Sequence, residues 1–472
     1  MSDQKMEMLV PQRMLELLEA EGIKTLFGIP DPCFVSMFVT AEQRGWRVIA
    51  PHHEQAGAFM ADGLWRMTGK PGVIIGNEGP GVANLLPAAV SAAKENTPTI
   101  FIGGQRERHF DQQVRRGRFQ YTPQVKYFEA AMKYIGTIEY ADQVDEIFHE
   151  AFRRALSGTP GPVYIEYPQD HAFAMKSFGP IVPPERYRLV NQRADAQSIE
   201  TAVKLLTEAD QPMIFLGTGV FASRAHEQAT ALVKALDCPV IQTPGANARL
   251  LDVADQSTAY ASNAANDLIA SADVVLAIGT EIGEPVPYGQ GRHWAKGKTD
   301  RKWIYVERDP TAIGVNRPID VPLVGDLRAI LPQLTDAIAK KGSVSRVPAR
   351  FRKMIEEAEQ EIVSALEMTP KGSPIHPLHF VAEATKVLPR DTVIIRDGGA
   401  ANIWTGAINR CPTSDILWSG NFGHLGTGLP HALGAQLAVG KSRRVVLMTG
   451  DSSFLFHISE LETAVRKNLP IV

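Results

Sequence analysis

An aspartate behind an apolar segment near the C-terminus is the first candidate for chemistry. Gly450-Asp451-Ser452-Ser453 stands at the end of the run 444–450 (RVVLMTG). Such a run predicts a buried strand, and ligands bind where the strands of open α/β sheets end. Asp451 offers a hard oxygen ligand for Mg²⁺, and the metal can bridge to a diphosphate held by backbone N–H groups. Taken alone, the segment favours a simpler interpretation, in which the aspartate caps the next helix.

A second carboxylate lies near the other end of the chain. Glu54 occurs in the segment 47–63 (RVIAPHHEQAGAFMADG), where a helix is predicted to follow a strand. A carboxylate in a binding site can act as a general acid or base. Stabilisation of the helix N-terminus by its negative charge is the alternative. About 25 residues later the loop 76–81 (GNEGPG) carries glycines that permit close approach of a ligand to the backbone.

The elements that must position these residues follow an alternating pattern. Short apolar runs without polar alternation indicate strands buried on both faces of a parallel sheet. Helical segments such as 11–21 and 196–209 lie between them, which predicts α/β architecture. The apolar runs are residues 71–76, 97–104, 162–167, 213–219, 239–242, 273–279, 303–307, 392–397 and 444–450.

The length of the chain and two unusual segments predict its domain organisation. The 472 residues exceed one hydrophobic core and suggest about three domains. Residues 177–191 are proline-rich and residues 340–349 are basic and polar, so both read as linkers. We predict three doubly wound parallel-sheet domains at 1–180, 190–340 and 370–472. The chain stops inside the apolar run 469–472, so we expect the last domain to be incomplete at its C-terminus.

Composition excludes several classes of function. The 49 basic and 52 acidic residues give a net charge of −3, which predicts no nucleic-acid partner. No apolar run is long enough for a membrane helix, and the first residues are polar, so we expect neither membrane insertion nor a secretory signal. Three widely spaced cysteines predict a reducing compartment, and hence a cytoplasmic enzyme.

The C-terminal segment then carries a family resemblance. GDSSFLFHISELETAVRKNLPIV (450–472) resembles the thiamine-diphosphate signature of acetolactate synthase and its relatives. The resemblance implies that Asp451 binds Mg²⁺ and that Gly450, Ser452 and Ser453 contact the cofactor. It also implies a further metal-binding asparagine just past Val472. The serine after the aspartate resembles 2-hydroxyacyl-CoA lyases and oxalyl-CoA decarboxylases in particular.

The N-terminal segment resembles the strand-HEQ-helix element of the same family. The resemblance implies that Glu54 contacts N1′ of the cofactor's aminopyrimidine ring and thereby promotes removal of the proton at thiazolium C2. The preceding His53 is a further candidate at the catalytic centre. The combination of Glu54 with Asp451 favours the catalytic interpretation over helix capping for both residues.

Three other loops resemble cofactor-binding loops of the family. Residues 76–84 resemble its SGPG-x-x-N loop, residues 397–404 its strand-to-helix diphosphate loop, and residues 420–428 its G-x-M-G-x-G loop. Leu425 stands at the methionine position, which implies that it supports the two cofactor rings in a bent arrangement. Relatives often carry Gln-His where this chain has two alanines. The remaining implied cofactor contacts are Pro80, Asn84, Gly399, Ala400, Ala401, Asn402 and Gly423.

Two segments point to the substrate side of the site. Residues 118–124 (RFQYTPQ) resemble the family's F-Q-E-x-x-Q stretch, which implies that Gln120 orients the bound substrate. Residues 29–32 (IPDP) resemble a GVPD loop of phosphonopyruvate- and sulfopyruvate-type decarboxylases, which makes Asp31 a candidate proton donor. Relatives use the central domain for FAD, for ADP or CoA, or for no ligand, and its sequence leaves these alternatives open.

The resemblance implies a lyase or transferase dependent on thiamine diphosphate and Mg²⁺. We expect cleavage or formation of C–C bonds in 2-oxo acids or aldehydes, as in an acetolactate-synthase-like carboligase or decarboxylase. The alternatives are an enzyme acting on acyl-CoA substrates, like a 2-hydroxyacyl-CoA lyase or oxalyl-CoA decarboxylase, or a non-catalytic nucleotide-binding α/β protein. A nucleotide-binding protein of the Rossmann type needs a G-x-G-x-x-G sequence after its first strand, and this chain has FGIPDP there instead. In relatives the site lies between two subunits, so we expect a homodimer or homotetramer.

Overall fold

The computed structural model describes residues 5–111, 114, 116–246, 250–294, 300–342, 346–408, 411 and 413–472. The strands are β1 (Met6–Leu9), β2 (Thr25–Gly28), β3 (Arg47–Ile49), β4 (Val73–Gly76), β5 (Ile100–Gln105), β6 (Tyr134–Thr137), β7 (Val163–Pro168), β8 (Met175–Phe178), β9 (Pro212–Leu216), β10 (Val240–Gln242), β11 (Ser257–Ala259), β12 (Val274–Ile278), β13 (Lys302–Glu307), β14 (Val321–Val324), β15 (Val393–Arg396), β16 (Ile416–Leu417) and β17 (Val445–Met448).

The helices are α1 (Val10–Ala20), α2 (Val35–Gln43), α3 (Glu54–Thr68), α4 (Pro80–Ala83), α5 (Leu86–Lys94), α6 (Arg108–Asp111), α7 (Gln124–Phe128), α8 (Val144–Leu156), α9 (Ala196–Glu208), α10 (Gly219–Ala222), α11 (His226–Leu236), α12 (Asn263–Ser271), α13 (Gly291–Trp294), α14 (Leu327–Ala339), α15 (Ala349–Met368), α16 (Pro377–Lys386), α17 (Gly399–Ile408), α18 (Gly428–Val439), α19 (Asp451–Leu455) and α20 (Glu460–Arg466). No helix of the described residues is both long and apolar enough to cross a membrane.

The chain divides into two compact units. The first unit joins Met1–Val190 with Val393–Gly399 and Leu417–Val472, and the second consists of Asn191–Thr392 and Ala400–Ile416. The N-terminal and C-terminal segments of the chain therefore fold together. The predicted boundaries at 180, 190, 340 and 370 remain predictions, and residues 343–345 of the expected second linker lie outside the described part.

The first unit is built on a six-stranded parallel sheet of order β3-β2-β4-β5-β7-β6. Its central strands β4 and β5 are buried throughout. A separate antiparallel pair, β1 with β8, was not predicted, because both strands are short and largely exposed. A smaller sheet of order β16-β15-β17 lies in the C-terminal region, and β15 runs parallel to β17.

Helices α3 and α18 cross closely inside the first unit. A β-carbon on Gly63 of α3 would lie 2.5 Å from the carbonyl oxygen of His431, and one on Gly434 of α18 would collide with the carbonyl oxygen of Met60. Leu429 and Leu433 of α18 belong to the same hydrophobic core as the residues beneath the six-stranded sheet. Glycines at the crossing thus allow the N-terminal and C-terminal segments to share one core.

The second unit carries its own six-stranded parallel sheet, of order β11-β10-β9-β12-β13-β14. The apolar faces of α9, α11 and α14 form one hydrophobic core with this sheet. Residues of α12 and Phe351 of α15 form a second core. Burial of the sheet by two such cores is typical of a doubly wound α/β structure.

The predicted α/β class with three parallel sheets is confirmed. Each of the nine predicted apolar runs coincides with a strand, although the strand ends differ from the run ends by up to three residues. Two helices follow β17 near the C-terminus: the short α19 begins at Asp451, and α20 begins at Glu460.

Candidate active site

Glu54 lies at the turn from β3 into α3. His53 is the N-cap of this helix, and its Nδ1 accepts a hydrogen bond from the backbone N–H of Gln55 at 3.2 Å. The structure thus gives His53 a capping role at the predicted catalytic centre. Glu54 is the first residue of α3 and is only 7% exposed. Its Oε2 accepts a hydrogen bond from Nδ2 of Asn84 at 2.9 Å, so the buried carboxylate has a fixed partner.

The glycine-rich loop 76–81 passes directly beside Glu54. A β-carbon on Gly81 would lie 3.2 Å from Oε1 of Glu54 and 3.1 Å from Cβ of Asn77. Gly79 has a φ of +71°, and a β-carbon there would collide with the backbone oxygen of Gln120. The loop therefore joins two predicted catalytic residues, Glu54 and Gln120. The backbone of Gln120 makes the close approach, while its side chain is exposed.

Gln124 holds this loop in place and was not predicted as a site residue. Its Oε1 accepts from the backbone N–H of Gly79 at 2.7 Å, and its Nε2 donates to the carbonyl oxygen of Gly104 at 2.8 Å. Gln124 is fully buried. Its role depends on residues 20 and 45 positions away, so local sequence could not reveal it.

Asp31 lies at the same edge of the sheet, in the loop after β2. Its Oδ1 accepts from the backbone N–H of Cys33 at 3.0 Å. Burial raises the pKa of the Cys33 thiol well above its usual value, and the negative charges of Glu78 and Asp31 raise it further. Cys33 therefore stays a neutral thiol near neutral pH. Asp31 and Glu78 of the 76–81 loop thus both act on Cys33, and the proton-donor role of Asp31 remains a prediction.

The C-terminal loops meet at the end of the smaller sheet. Asp397 follows β15, and its Oδ2 accepts from the backbone N–H of Gly428 at 2.8 Å. Burial raises the pKa of Asp397. Gly398 has a φ of +75°, and a β-carbon there would collide with Oγ of Ser453. The loops after β15 and β17 are thus in direct contact, and Ser453 is buried at that contact.

Asp451 is the first residue of α19, and its side chain is exposed. Gly450 is the N-cap of α19 and Ser459 is the N-cap of α20, so Asp451 is the N-cap of neither helix. Ser452 next to it is also exposed. Among the described residues, no group of three or more His, Cys, Asp or Glu side chains forms a metal site. The metal prediction therefore depends on Asp451 as a single carboxylate.

Three predicted contact residues leave their backbone open to a ligand. At Gly399, Gly423 and Gly450, a β-carbon would meet nothing within 4 Å. Each of them belongs to one of the loops predicted to bind the cofactor. Open backbone and an exposed carboxylate are chemically suited to a diphosphate with a divalent cation.

Leu425 lies in the 420–428 loop and is 41% exposed, so it is not a core residue. The loop is held in place at Gly426, the residue after Leu425. The carbonyl oxygen of Gly426 accepts a hydrogen bond from Nδ1 of His457 at 2.7 Å. Burial lowers the pKa of His457 to about 4, so its ring is neutral at neutral pH. A fixed loop with a protruding apolar side chain fits a residue that supports a bound ring.

The N-terminal and C-terminal segments that carry the predicted residues pack against each other within the first unit. Nε2 of Gln55 lies 3.2 Å from Nε2 of His424, and Oε1 of Glu460 accepts from the backbone N–H groups of His52 and His53 at 2.8 and 3.2 Å. The residues that flank Glu54 therefore contact the 420–428 loop and α20 of the same chain.

A buried charged network beneath this contact was not predicted. Asp62 of α3 pairs with Arg66 and with Nε2 of His431, both at 2.9 Å. Burial alone would raise the pKa of Asp62, but Arg66 and His431 outweigh it and lower the pKa to about 2. Oε1 of Glu95 accepts from two backbone N–H groups of the 420–428 loop at 2.8 Å. The contacts of Asp62 with His431 and of Glu95 with the 420–428 loop join residues more than 300 positions apart, so no sequence motif could connect them.

The other predicted contacts lie on two short helical segments. Pro80 is the first residue of α4 and is exposed. Ala400, Ala401 and Asn402 lie in α17 and belong to the second unit. Oδ1 of Asn402 is buried and has no hydrogen-bond partner among the described residues.

Taken together, the first unit offers a buried carboxylate held by an amide, an exposed carboxylate at a strand end and three open glycine backbones. These groups fit a ring-bearing diphosphate with its divalent cation, and sequence comparison identifies the class of protein in which they occur. Residues 8–129, 199–334 and 397–472 match the N-terminal TPP binding domain, the central domain and the C-terminal TPP binding domain of thiamine pyrophosphate enzymes. The chain therefore belongs to the thiamine pyrophosphate enzymes.

The chain is similar to several thiamine-dependent proteins with assigned names. A probable acetolactate synthase large subunit of Methanococcus aeolicus is 29% identical over 98% of this chain and 79% of its own length. Acetolactate synthase isozyme 3 large subunit of Escherichia coli (strain K12) is 26% identical over 99% and 82%. A sulfoacetaldehyde acetyltransferase of Castellaniella defragrans is 28% identical over 98% and 80%. The chain is thus similar to acetolactate synthase large subunits and to an acetyltransferase, and its N- and C-terminal TPP binding domains imply thiamine diphosphate as cofactor.

Proposed function

We propose that this protein is an acetolactate-synthase-like carboligase or decarboxylase that acts on 2-oxo acids or aldehydes with thiamine diphosphate and Mg²⁺. The observation that carries the proposal is Glu54. It is buried, begins α3, and accepts a hydrogen bond from Asn84. The acetolactate synthase and acetyltransferase relatives support the same reaction class.

When bound, thiamine diphosphate supplies the carbon nucleophile and the electron sink that C–C bond cleavage requires. Glu54 would hold a proton at a nitrogen of the cofactor's pyrimidine ring, and Asn84 would keep the carboxylate oriented. Asp451 would bind Mg²⁺ beside the diphosphate. Leu425 would support the rings, and the open backbone at Gly399, Gly423 and Gly450 would allow the cofactor to approach.

On the substrate side, Gln120 would orient the carbonyl group and Asp31 would return a proton to the product. The same proposal assigns 1–180 to pyrimidine binding and 370–472 to diphosphate binding, with 190–340 as the central domain. We further propose a homodimer or homotetramer with the site at the subunit interface. Three buried cysteines without disulfides favour a cytoplasmic location.

Calorimetric titration with thiamine diphosphate and Mg²⁺ tests the cofactor assignment. Asp451→Ala should lose metal-dependent binding, because it removes the single carboxylate at the strand end. Glu54→Gln should still bind but should lose hydrogen–deuterium exchange at C2 of the bound cofactor, because the amide cannot take up the proton. Normal exchange in Glu54→Gln would exclude the proposed role of this residue.

Two matched variants control for the loss of a carboxylate as such. Glu42→Gln changes an exposed residue of α2, and Asp336→Ala changes an exposed residue of α14. Both should bind the cofactor and exchange the C2 proton as the unmodified protein does. An equal loss of binding in Asp336→Ala and Asp451→Ala would remove Asp451 from the site.

An enzyme acting on acyl-CoA substrates is the second candidate, because Ser452 resembles the serine of 2-hydroxyacyl-CoA lyases and oxalyl-CoA decarboxylases. A substrate panel distinguishes the two. Turnover of pyruvate or other 2-oxo acids supports the first candidate, and cleavage of 2-hydroxyacyl-CoA or oxalyl-CoA without turnover of 2-oxo acids supports the second.

A further inference from the structure

We infer that Glu78 and Arg106 form a specificity subsite that recognises a hydroxyl group on the substrate. The inference rests on the proposed function, since it concerns the substrate of the same site. It begins from a carboxylate that is buried at the carboxyl edge of the first sheet and is only partly satisfied by its neighbours.

Glu78 follows β4 within the 76–81 loop and is 5% exposed. Its Oε1 pairs with Nη1 of Arg106 at 2.9 Å. Its other oxygen, Oε2, is buried and has no hydrogen-bond partner among the residues that the structure describes. Oδ1 of the adjacent Asn77 is also buried without a hydrogen-bond partner among these residues. A buried carboxylate oxygen without a donor carries a large desolvation cost, so a bound group that donates a hydrogen bond would be stabilised there.

The position of Glu78 connects it to the candidate catalytic residues. The residue after it, Gly79, contacts the backbone of Gln120, and Gly81 contacts the carboxylate of Glu54. The backbone N–H of Glu78 also lies 3.3 Å from where a β-carbon on Gly104 would be, beside Cys33. Glu78 is therefore part of the same short loop that separates Glu54 from the predicted substrate-orienting residue.

The charges around the pair select the chemical class of the ligand. Glu78 and Arg106 neutralise each other, and the negative charges of Glu78 and Asp31 both act on the neighbouring Cys33 thiol. A second anionic group would be repelled by these carboxylates. A hydroxyl group can donate to Oε2 of Glu78 and accept from the Arg106 guanidinium, so it satisfies both partners. A purely aliphatic substrate would leave the carboxylate oxygen buried and unpaired.

The test compares matched substrates that differ by one hydroxyl: hydroxypyruvate with pyruvate, and glycolaldehyde with acetaldehyde. For the unmodified protein with thiamine diphosphate and Mg²⁺, we expect kcat/KM to favour the hydroxylated member by about tenfold or more. Glu78→Ala and the shape-conserving Glu78→Gln should both reduce this ratio by at least about fivefold. The alanine removes both oxygens, and in the glutamine the amide oxygen faces Arg106, so that an NH₂ donor replaces Oε2.

Glu139→Ala is the matched control. Glu139 forms an exposed ion pair with Arg108, two residues from Arg106, and does not belong to the 76–81 loop. The ratio of kcat/KM between the hydroxylated and the non-hydroxylated substrate should be the same in Glu139→Ala as in the unmodified protein. The inference is overturned if the unmodified protein has no preference for the hydroxylated substrates, if either Glu78 variant keeps the full ratio, or if Glu139→Ala loses it equally.

Cofactor binding by the unmodified protein separates this inference from the proposed function. If the protein binds thiamine diphosphate and exchanges the C2 proton but does not distinguish the substrate pairs, the subsite is wrong and the proposed function stands. If it neither binds the cofactor nor exchanges the proton, the proposed function fails, and the subsite fails with it.

Discussion

Leu425 and Leu433 have the same side chain but different surroundings. Leu425 is 41% exposed in the 420–428 loop, whereas Leu433 is fully buried in the core shared by α18 and the first sheet. Leu425→Ala should change the free energy of unfolding by no more than about 0.5 kcal/mol. Leu433→Ala should lower it by about 2–5 kcal/mol, because it leaves a cavity. Urea denaturation of the two variants measures the difference.

The same pair separates a cofactor contact from a packing residue. If Leu425 supports the cofactor rings, Leu425→Ala should lower kcat despite its normal stability. Normal turnover in a stable Leu425→Ala protein would remove this residue from the site.

His457 makes the stability of the first unit dependent on pH. Burial lowers the pKa of His457 to about 4 in the folded protein, while the unfolded chain has a pKa near its ordinary value of 6.5. Between these values the unfolded chain binds the proton more readily, so acid favours unfolding. Above pH 6.5 both states carry a neutral ring, and His457 does not lower the free energy of unfolding. As the pH falls to about 4, the free energy of unfolding decreases by about 3 kcal/mol in total.

Urea denaturation of the unmodified protein and of His457→Gln at several pH values between 7 and 4 checks this dependence. The free energy of unfolding of the unmodified protein should decrease more steeply than that of the variant. Parallel curves for the two proteins would show that His457 does not titrate as its burial predicts.

The residues that local sequence identified are those whose role depends on nearby residues in the chain. Glu54 and Asp451 follow apolar runs within recognisable segments, so their positions at strand ends could be predicted. The role of Gln124 could not, because its partners come from Gly79 and Gly104. The ion pair of Glu78 with Arg106 could not be predicted from the sequence either, because Arg106 follows a different strand.

At the scale of elements, the crossing of α3 and α18 depends on glycine. In an isolated helix, Gly→Ala is stabilising by up to about 1 kcal/mol. Here the added methyl group of Gly434→Ala would collide with the carbonyl oxygen of Met60. We expect Gly434→Ala to lower the free energy of unfolding by about 1–3 kcal/mol, because two tightly packed helices would have to separate.

Gly372→Ala is the control for this substitution, since a β-carbon at Gly372 meets nothing within 4 Å. Its free energy of unfolding should remain within about 0.5 kcal/mol of the original. A stabilising Gly434→Ala, measured by the same denaturation, would contradict the close crossing.

Elements with a continuous apolar run were predictable, and elements without one were not. The strands β4, β5 and β12 are buried throughout, so their sequences show no polar alternation. The pair β1 and β8 is mostly exposed and consists of four residues each, so its sequence does not differ from a loop. The short α19 was missed because its five residues lack a helical apolar period.

At the scale of the molecule, the assembly can be tested by complementation. In a site shared between subunits, a mixed dimer of one Glu54→Gln chain and one Asp451→Ala chain contains one intact site and one doubly altered site. Random mixing of the two inactive chains should then restore about a quarter of the original sites. Turnover of the co-expressed and singly expressed proteins, with light scattering to determine the oligomeric state, measures this recovery.

No recovery from mixed dimers would place Glu54 and Asp451 of one chain in the same site. A monomer that binds the cofactor would also contradict the shared arrangement. As a control, co-expression of Glu54→Gln with Glu54→Gln should give no recovery in either arrangement.

The division of the chain was only partly predictable. Proline-rich and polar segments mark where the chain leaves a compact region, and they indicated three domains. They carry no information about which regions pack together. The C-terminal segment shares a core with the N-terminal segment because α18 packs on α3, a contact between residues about 370 positions apart.

This shared core has a consequence for biosynthesis. When the ribosome has completed residues 1–190, the apolar surface under α3 still lacks Leu429, Leu433 and Leu437. More than 230 further residues must be translated before these side chains leave the exit tunnel. During that interval the N-terminal region exposes an apolar surface that favours chaperone binding. Native packing of the N-terminal region is therefore completed late in translation, even though its six-stranded sheet is encoded first.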